Sequence, residues 1–205
     1  KSRHRIADSV YSACLDNCHA FLPRFEASVG TWANHPKSLV FITDGAEWIR
    51  HSLQQTYPEA THILDYYHAL ERLGEFAKSV FKEEPERTAW VDTQAALLKQ
   101  GNVDTVLATL KKLTPLNKNA REARYQLITY YRNNGGRMAS DVYRKWGLMI
   151  GSGPMEAAHR SVLQARMKRS GQHWTIAGAK AMINLRVALK SGQWQQAIAP
   201  LLQAA

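Results

Sequence analysis

Cysteine is scarce in this chain. There are two in 205 residues, Cys14 and Cys18. His19 sits beside them, but no second Cys or His pair lies at zinc spacing, so a zinc site is not indicated. A free, reduced pair fits better and implies a reducing cytoplasm. Acidic residues are also short, 17 Asp and Glu against 27 Lys and Arg, which leaves a net charge of +10. That deficit points to a polyanionic partner, nucleic acid before a membrane surface, because Lys and Arg that neutralise phosphates release counterions. No apolar run reaches the ~18 residues that a membrane span needs, and no signal peptide is visible. There is no internal repeat and no low-complexity segment. An initiator Met is missing too; the chain opens on Lys1, Ser2, Arg3, His4 and Arg5. It is therefore expected to be part of something longer.

What is present suffices for a globular core. A 45% hydrophobic fraction over 205 residues allows one or two domains. Residues 6–15 alternate β-branched or aromatic with polar side chains and predict a strand. In residues 16–29, Cys18, Phe21, Leu22, Phe25 and Val29 recur at helical spacing, with Asp16 or Asn17 as the cap. Residues 31–37 predict a loop. Residues 39–43 (LVFIT) are a short continuous apolar run, typical of a strand buried on both faces. The run ends in Asp44 and Gly45, and a helix is expected from 46 to 57, closed before Pro58. A second short strand, 62–64, ends in Asp65, and a helix over 67–81 follows. Strand, helix, strand, helix at this spacing is an α/β unit with parallel strands.

From 84 to 144 the strand pattern stops. Apolar residues from Leu97 to Leu113 predict two short helices, broken at Gly101 and Asn102 and ended by Pro115. A third spans 119–133, broken by Asn133, Asn134, Gly135 and Gly136. Residues 147–174 (GLMIGSGPMEAAHRSVLQARMKRSGQHW) then combine a glycine turn, a helix start at Pro154 and a lone acid, Glu156, in its first turn. Helices over 176–190 and 194–203 complete the chain.

Two acids, Asp44 and Asp65, each end a short strand. In open parallel sheets, ligands bind beyond the carboxyl ends of the strands, and carboxylates there suit hard cations such as Mg²⁺. Helix capping explains either position equally well. Glu47 and Glu71 fit solvated helix surface. Asp65 and His68 place an imidazole one turn from a carboxylate, a pair that is often only structural. Glu156 is either a carboxylate complementing the helix dipole or a metal ligand. Strand-end Asp residues, a helix-borne Glu and positive charge together suggest a metal-dependent phosphodiester site.

Four segments carry a resemblance: 42–49 (ITDGAEWI), 63–68 (ILDYYH), 147–153 (GLMIGSG) with Glu156, and 164–171 (QARMKRSG) with Trp174. In this order and spacing the chain resembles the DDE transposases of bacterial insertion sequences, most closely the Kra-type branch, over nearly its whole length. The resemblance implies a partial ribonuclease H-like core with an all-α insertion and C-terminal helices. The implied parts are core strands and helices over 1–83, the helical insertion over 84–146, and the catalytic-Glu helix with basic helices over 147–205. It makes Asp44 the second catalytic Asp and Glu156 the catalytic Glu, together holding Mg²⁺ or Mn²⁺. Asp65 and His68 match a motif that supports the site. The family's first catalytic Asp has no match here; Asp8 and Asp16 belong to a stretch that looks like the third strand and its exit. The isolated chain is thus expected to be incomplete as an enzyme.

Seven Lys or Arg lie from Arg160 through Lys190, an excess unusual for a solvated helix face. DNA contact is assigned to Arg160, Arg166, Lys168, Arg169 and Lys180. Trp146, Trp174 and Trp194 are expected to be packing anchors. The turn at Gly151 and Gly153 could cradle phosphate, but no Lys-Ser/Thr follows to make it a P-loop. The leading expectation is a transposase acting on transposon ends and target DNA, homo-oligomeric on DNA, in the bacterial cytoplasm and associated with the nucleoid. The alternatives are a catalytically incomplete DNA-binding remnant and, behind it, an RNase H-like nuclease.

Overall fold

The computed structural model describes residues 8–114 and 117–203. In chain order they form α1 (Cys18–Val29), β1 (Val40–Thr43), α2 (Glu47–Thr56), β2 (Thr61–Leu64), α3 (Tyr66–Val80), α4 (Glu84–Lys99), α5 (Val103–Lys112), α6 (Lys118–Asn134), α7 (Ser140–Lys145), α8 (Gly153–Ala158), α9 (Ala165–Met167), α10 (Ile176–Lys190) and α11 (Trp194–Gln203). A π-helical segment, His159–Gln164, joins α8 to α9. The protein is mostly helical with one small two-stranded parallel sheet among the described residues, consistent with an α/β class.

The chain divides into two compact units, residues 35–152 and residues 1–34 with 153–205. The 35–152 unit holds the sheet. β1 and β2 pair in parallel, in a register that sets Val40 opposite Thr61 and Thr43 opposite Leu64. Parallel pairing demands a crossover, which α2 supplies. Leu64, Leu73, Phe76, Leu98, Val106, Leu110, Leu127 and Tyr131 form the core. It is built where α3 meets the helices that follow it, so strands and helical segment share one core. Leu73 and Tyr131 are 0% exposed. Burying a side chain such as Leu73 contributes ~1.5–3 kcal/mol. The Tyr131 hydroxyl donates to the Ala69 carbonyl at 2.9 Å, so the buried phenol keeps a partner.

Pro85 sits at the start of α4, where its missing N–H is harmless. That start makes α4 a 16-residue helix rather than the short one expected from the leucines near 97. α7 was not foreseen at all. Pro115, expected to end a helix, lies outside the described residues.

The second unit is helical. Asn17 caps α1, its side chain accepting from the Ala20 N–H at 3.1 Å. Ala158, Val162, Ala179 and Ile183 are its buried apolar residues. The π segment frees carbonyls from the regular helical ladder. Arg186 of α10 takes two of them, donating from Nε to Val162 O at 3.0 Å and from Nη2 to Ser161 O at 2.5 Å.

The strand expected over residues 6–15 does not form over 8–15; Ile6 and Ala7 lie outside the described residues. A strand needs a ladder, and here the backbone groups meet side chains instead. The Tyr11 N–H donates to Ser191 Oγ at 2.9 Å, and Arg24 Nη1 donates to the Ala13 carbonyl at 3.2 Å.

Candidate functional site

The parallel register places Asp44 and Asp65 one residue past the paired strand ends, at the same edge of the sheet. The ladder runs on to this point, since the Asp65 N–H donates to the Thr43 carbonyl at 2.8 Å. Beyond it the two residues differ in every respect.

Asp65 is 1% exposed. Its Oδ1 accepts from the Tyr67 N–H at 2.8 Å and the His68 N–H at 3.4 Å, which caps α3. Its Oδ2 accepts from the Ser152 N–H at 2.8 Å and from the Ser152 hydroxyl. The Tyr66 N–H donates to the Ile150 carbonyl at 2.8 Å, fastening the same loop. Asp65 is therefore a buried clamp that ties the 150–152 loop to the head of α3. The expected phosphate cradle in this loop is not free for that purpose, because the Ser152 N–H is already directed at Asp65. Gly151 is needed for the closure, since a Cβ there would lie 2.4 Å from the Tyr67 ring. The His68 imidazole does not pair with Asp65; its Nδ1 is 3.4 Å from Glu71 Oε2.

Asp44 is exposed. Its Oδ1 accepts only from the Ala46 N–H, at 3.0 Å. Ala46, not Asp44, occupies the cap position of α2 and makes no side-chain cap. The carboxylate is thus held in a tight turn with acceptor capacity to spare. The turn is fixed from behind. The Tyr130 hydroxyl donates to the Asp44 carbonyl at 2.8 Å. Gly45 has φ +86°, and a Cβ on it would lie 2.7 Å from Leu64 Cδ1 and 2.8 Å from Tyr130 Cε2. Only glycine meets both demands.

Three arginines gather here that the sequence did not single out. Arg137 is 6% exposed, donates from Nη1 to Thr43 Oγ1 at 3.1 Å and from Nη2 to Asn134 Oδ1, and leaves its Nε without a partner. Burial, with Arg50 adding like-charge repulsion, holds its guanidinium below the ordinary value; Asp44 acts the other way. Arg50 is 3.4 Å from Glu47. Arg72 lies over the Tyr130 ring, 4.3 Å from its centroid. Burial pushes the Tyr130 phenol up, opposed by Arg72 and reinforced by the Asp44 charge. A signal existed in the sequence, since Arg137 follows the Asn-Asn-Gly-Gly break, but position alone does not tell a buried arginine from a surface one.

Glu156 lies in the other unit. It is exposed in the first turn of α8, as the Pro154 start predicts. Of the basic residues, Arg160, Lys168 and Arg169 are exposed. Arg166 lies 5.6 Å from the Trp174 ring centroid. Lys180 forms an ion pair with Asp16 at 2.6 Å, and this hydrogen-bonded ammonium holds the Asp16 carboxyl below its usual range. Trp174 is anchored, donating from Nε1 to the Met167 carbonyl at 3.2 Å. Trp146, expected as an anchor, is instead 63% exposed and touches Tyr143 edge-on. Trp194, at 37% exposed, is also only partly covered.

Asp44 fits a hard cation as a single carboxylate ligand; Asp65, with both oxygens engaged, does not. Among the described residues no three His, Cys, Asp or Glu side chains form a metal-binding group. No helix among them is long and apolar enough to cross a membrane.

A mostly helical α/β protein with its polar site at the end of a parallel strand pair is the class these features define. The chain matches the uncharacterised protein family UPF0236 over residues 31–199, and it belongs to that family. No curated protein and no solved structure matches it significantly.

Proposed function

We propose that the chain is the catalytic portion of a DDE-type DNA transposase, with a ribonuclease H-like core, the helical segment 84–146 as its insertion, and 147–205 bearing the catalytic Glu and basic helices. One observation carries this reading: at the carboxyl end of a parallel strand, Asp44 presents an exposed carboxylate that caps no helix, on a backbone fixed by Gly45 and Tyr130. A carboxylate used for neither capping nor ion pairing, yet held on a rigid turn, is what a ligand position needs.

In this reading Asp44 and Glu156 would hold Mg²⁺ or Mn²⁺, which would supply Lewis-acid stabilisation of the negative charge on the phosphoryl oxygens. Asp65 and Ser152 keep the adjoining loop in place, with His68 beside them. Arg160, Arg166, Lys168, Arg169 and Lys180 bind DNA backbone and set its register without reading bases. Water opens the phosphodiester at the transposon end, and the freed 3′-hydroxyl then attacks target DNA. No covalent protein intermediate is required. The active form is a homo-oligomer on DNA.

The test is nicking and strand joining of supercoiled DNA in Mn²⁺ by the full-length protein. Asp44→Asn and Glu156→Gln are each expected to lower cleavage by about a hundred- to a thousandfold, with DNA binding intact. A second reading, a DNA-binding module without catalysis, is favoured by the exposed Arg160, Lys168 and Arg169. It gains if binding is steeply salt-dependent while wild type and variants alike fail to cut.

A further inference from the structure

Beside Asp44, within the 35–152 unit, an open cavity of about 270 Å³ lies between α2 and α6. That is just below the usual range of ligand pockets, about 300–1,000 Å³, and suits one small group. One wall is α2 and its approach: Gly45, Glu47 and Arg50. The other is a single face of α6, where Tyr125, Thr129, Tyr130 and Asn133 stack at helical spacing.

The chemistry of these walls is uneven. Tyr125 is 67% exposed, a large flat ring standing at the mouth. Tyr130 is rigid, with Arg72 on its ring and its hydroxyl engaged by Asp44. Asn134, also on the cavity wall, holds the buried Arg137 from behind. Arg137 has no carboxylate in ion-pair contact among the described residues, and its buried Nε has no partner. Arg50, a second cation, disfavours its charge, while Asp44 favours it. Burying a guanidinium with no ion-pair partner is unfavourable, and an anion in the adjoining cavity would add to the favourable pull of Asp44. An aromatic platform at the mouth, amide and hydroxyl groups along one wall and the Arg50 guanidinium on the other, shared with the exposed Glu47, describe a ligand with a planar ring and a phosphate.

We infer that the cavity between α2 and α6 is a nucleotide subsite, in which Tyr125 stacks on an unpaired base and Arg50 meets the adjoining phosphate. The inference rests on the transposase reading in taking that nucleotide from a DNA strand led past Asp44. Free nucleotide offers the same chemistry, so the test separates the two. Base–aromatic stacking contributes ~1–3 kcal/mol per base, which sets the size of the expected effects at roughly 5- to 150-fold.

The experiment is an NMR titration of the full chain with thymidine 5′-monophosphate, thymidine and deoxyribose 5-phosphate. It is followed by binding of a single-stranded oligonucleotide with and without one abasic position. Expected are shifts at α6 and α2 with the monophosphate, at least about tenfold weaker binding of the two part-ligands, and a comparable loss in Tyr125→Ala. Arg50→Ala should lower the monophosphate affinity and leave that of thymidine unchanged. An abasic penalty that Tyr125→Ala removes identifies the strand as the source; monophosphate binding without such a penalty overturns the strand assignment. Equal binding of deoxyribose 5-phosphate and the monophosphate, or a Tyr125→Ala chain that binds as wild type, overturns the subsite. If that happens while nicking still depends on Asp44, the transposase reading stands alone. If the monophosphate binds as described but nicking ignores Asp44, only the subsite survives.

Discussion

The two strand ends are neighbours in one sheet, share a residue type and lead into helices, yet folding gives them opposite duties. Asp65 is buried and accepts from Tyr67, His68 and Ser152, so its carboxylate is part of the architecture. Asp44 is exposed and accepts from one backbone N–H. The lesson is that capping and ligation compete for the same lone pairs. Where the backbone of a helix start and a returning loop converge on a carboxylate, little is left for a ligand. Where a glycine and a tyrosine hydroxyl fix the turn, the carboxylate is released.

The comparison can be broken by substitution. The largest effect is expected for Asp65→Ala, which leaves the Ser152 N–H and two helix-start N–H groups without their acceptor. Its urea-unfolding free energy should fall by about 3 kcal/mol or more, while Asp44→Ala falls by less than about 1 kcal/mol. Equal losses would erase the distinction. Next is Gly45→Ala, expected to lose about 1–3 kcal/mol through its left-handed φ and its approach to Leu64 and Tyr130. Gly151→Ala should lose less, because Gly151 carries no left-handed φ and what stands in the way is a side chain, the largely exposed Tyr67 ring; thermal unfolding of both variants ranks them.

Ser152→Ala should lower stability by about 1 kcal/mol, as one hydroxyl donor to Asp65 goes while the backbone donor stays. The smallest effect is Lys180→Ala, which should leave the thermal unfolding midpoint nearly unchanged because the pair is so exposed. Its pH dependence has a definite sign. Lys180 lowers the folded Asp16 pKa, so whatever the pair contributes is present above the ordinary carboxylate range and disappears as pH falls through the lowered value. NMR titration of the Asp16 carboxyl in wild type and Lys180→Ala reads this directly.

The sequence was informative where periodicity and punctuation agree. The run before Asp44, the short strand before Asp65 and the helix between them lie where expected, although β1 is half-exposed rather than covered on both faces as its apolar run suggested; only β2 is deeply buried. The break at Gly135 and Gly136 and the helix start at Pro154 were equally plain. Residues 6–15 misled because alternation is only half of a strand; the other half is a partner, which no local pattern reveals. α4 was undersized because Pro85 was not weighed as a start, and α7 carries only six residues, too few for periodicity to register. At the site, both strand-end acids were legible but their difference was not. It depends on Ser152 and Tyr130, each more than eighty residues away in the chain from its partner. Arg137 stayed hidden for the same reason.

The central claim is that Asp44 is a free ligand carboxylate and acts together with Glu156. Its most direct measurement is Mn²⁺ binding by electron paramagnetic resonance titration of the wild-type chain, Asp44→Asn, Glu156→Gln and the double variant. The account predicts that each single substitution weakens binding by at least about tenfold and that the double variant is little worse than either. Wild-type affinity in either single variant would contradict it.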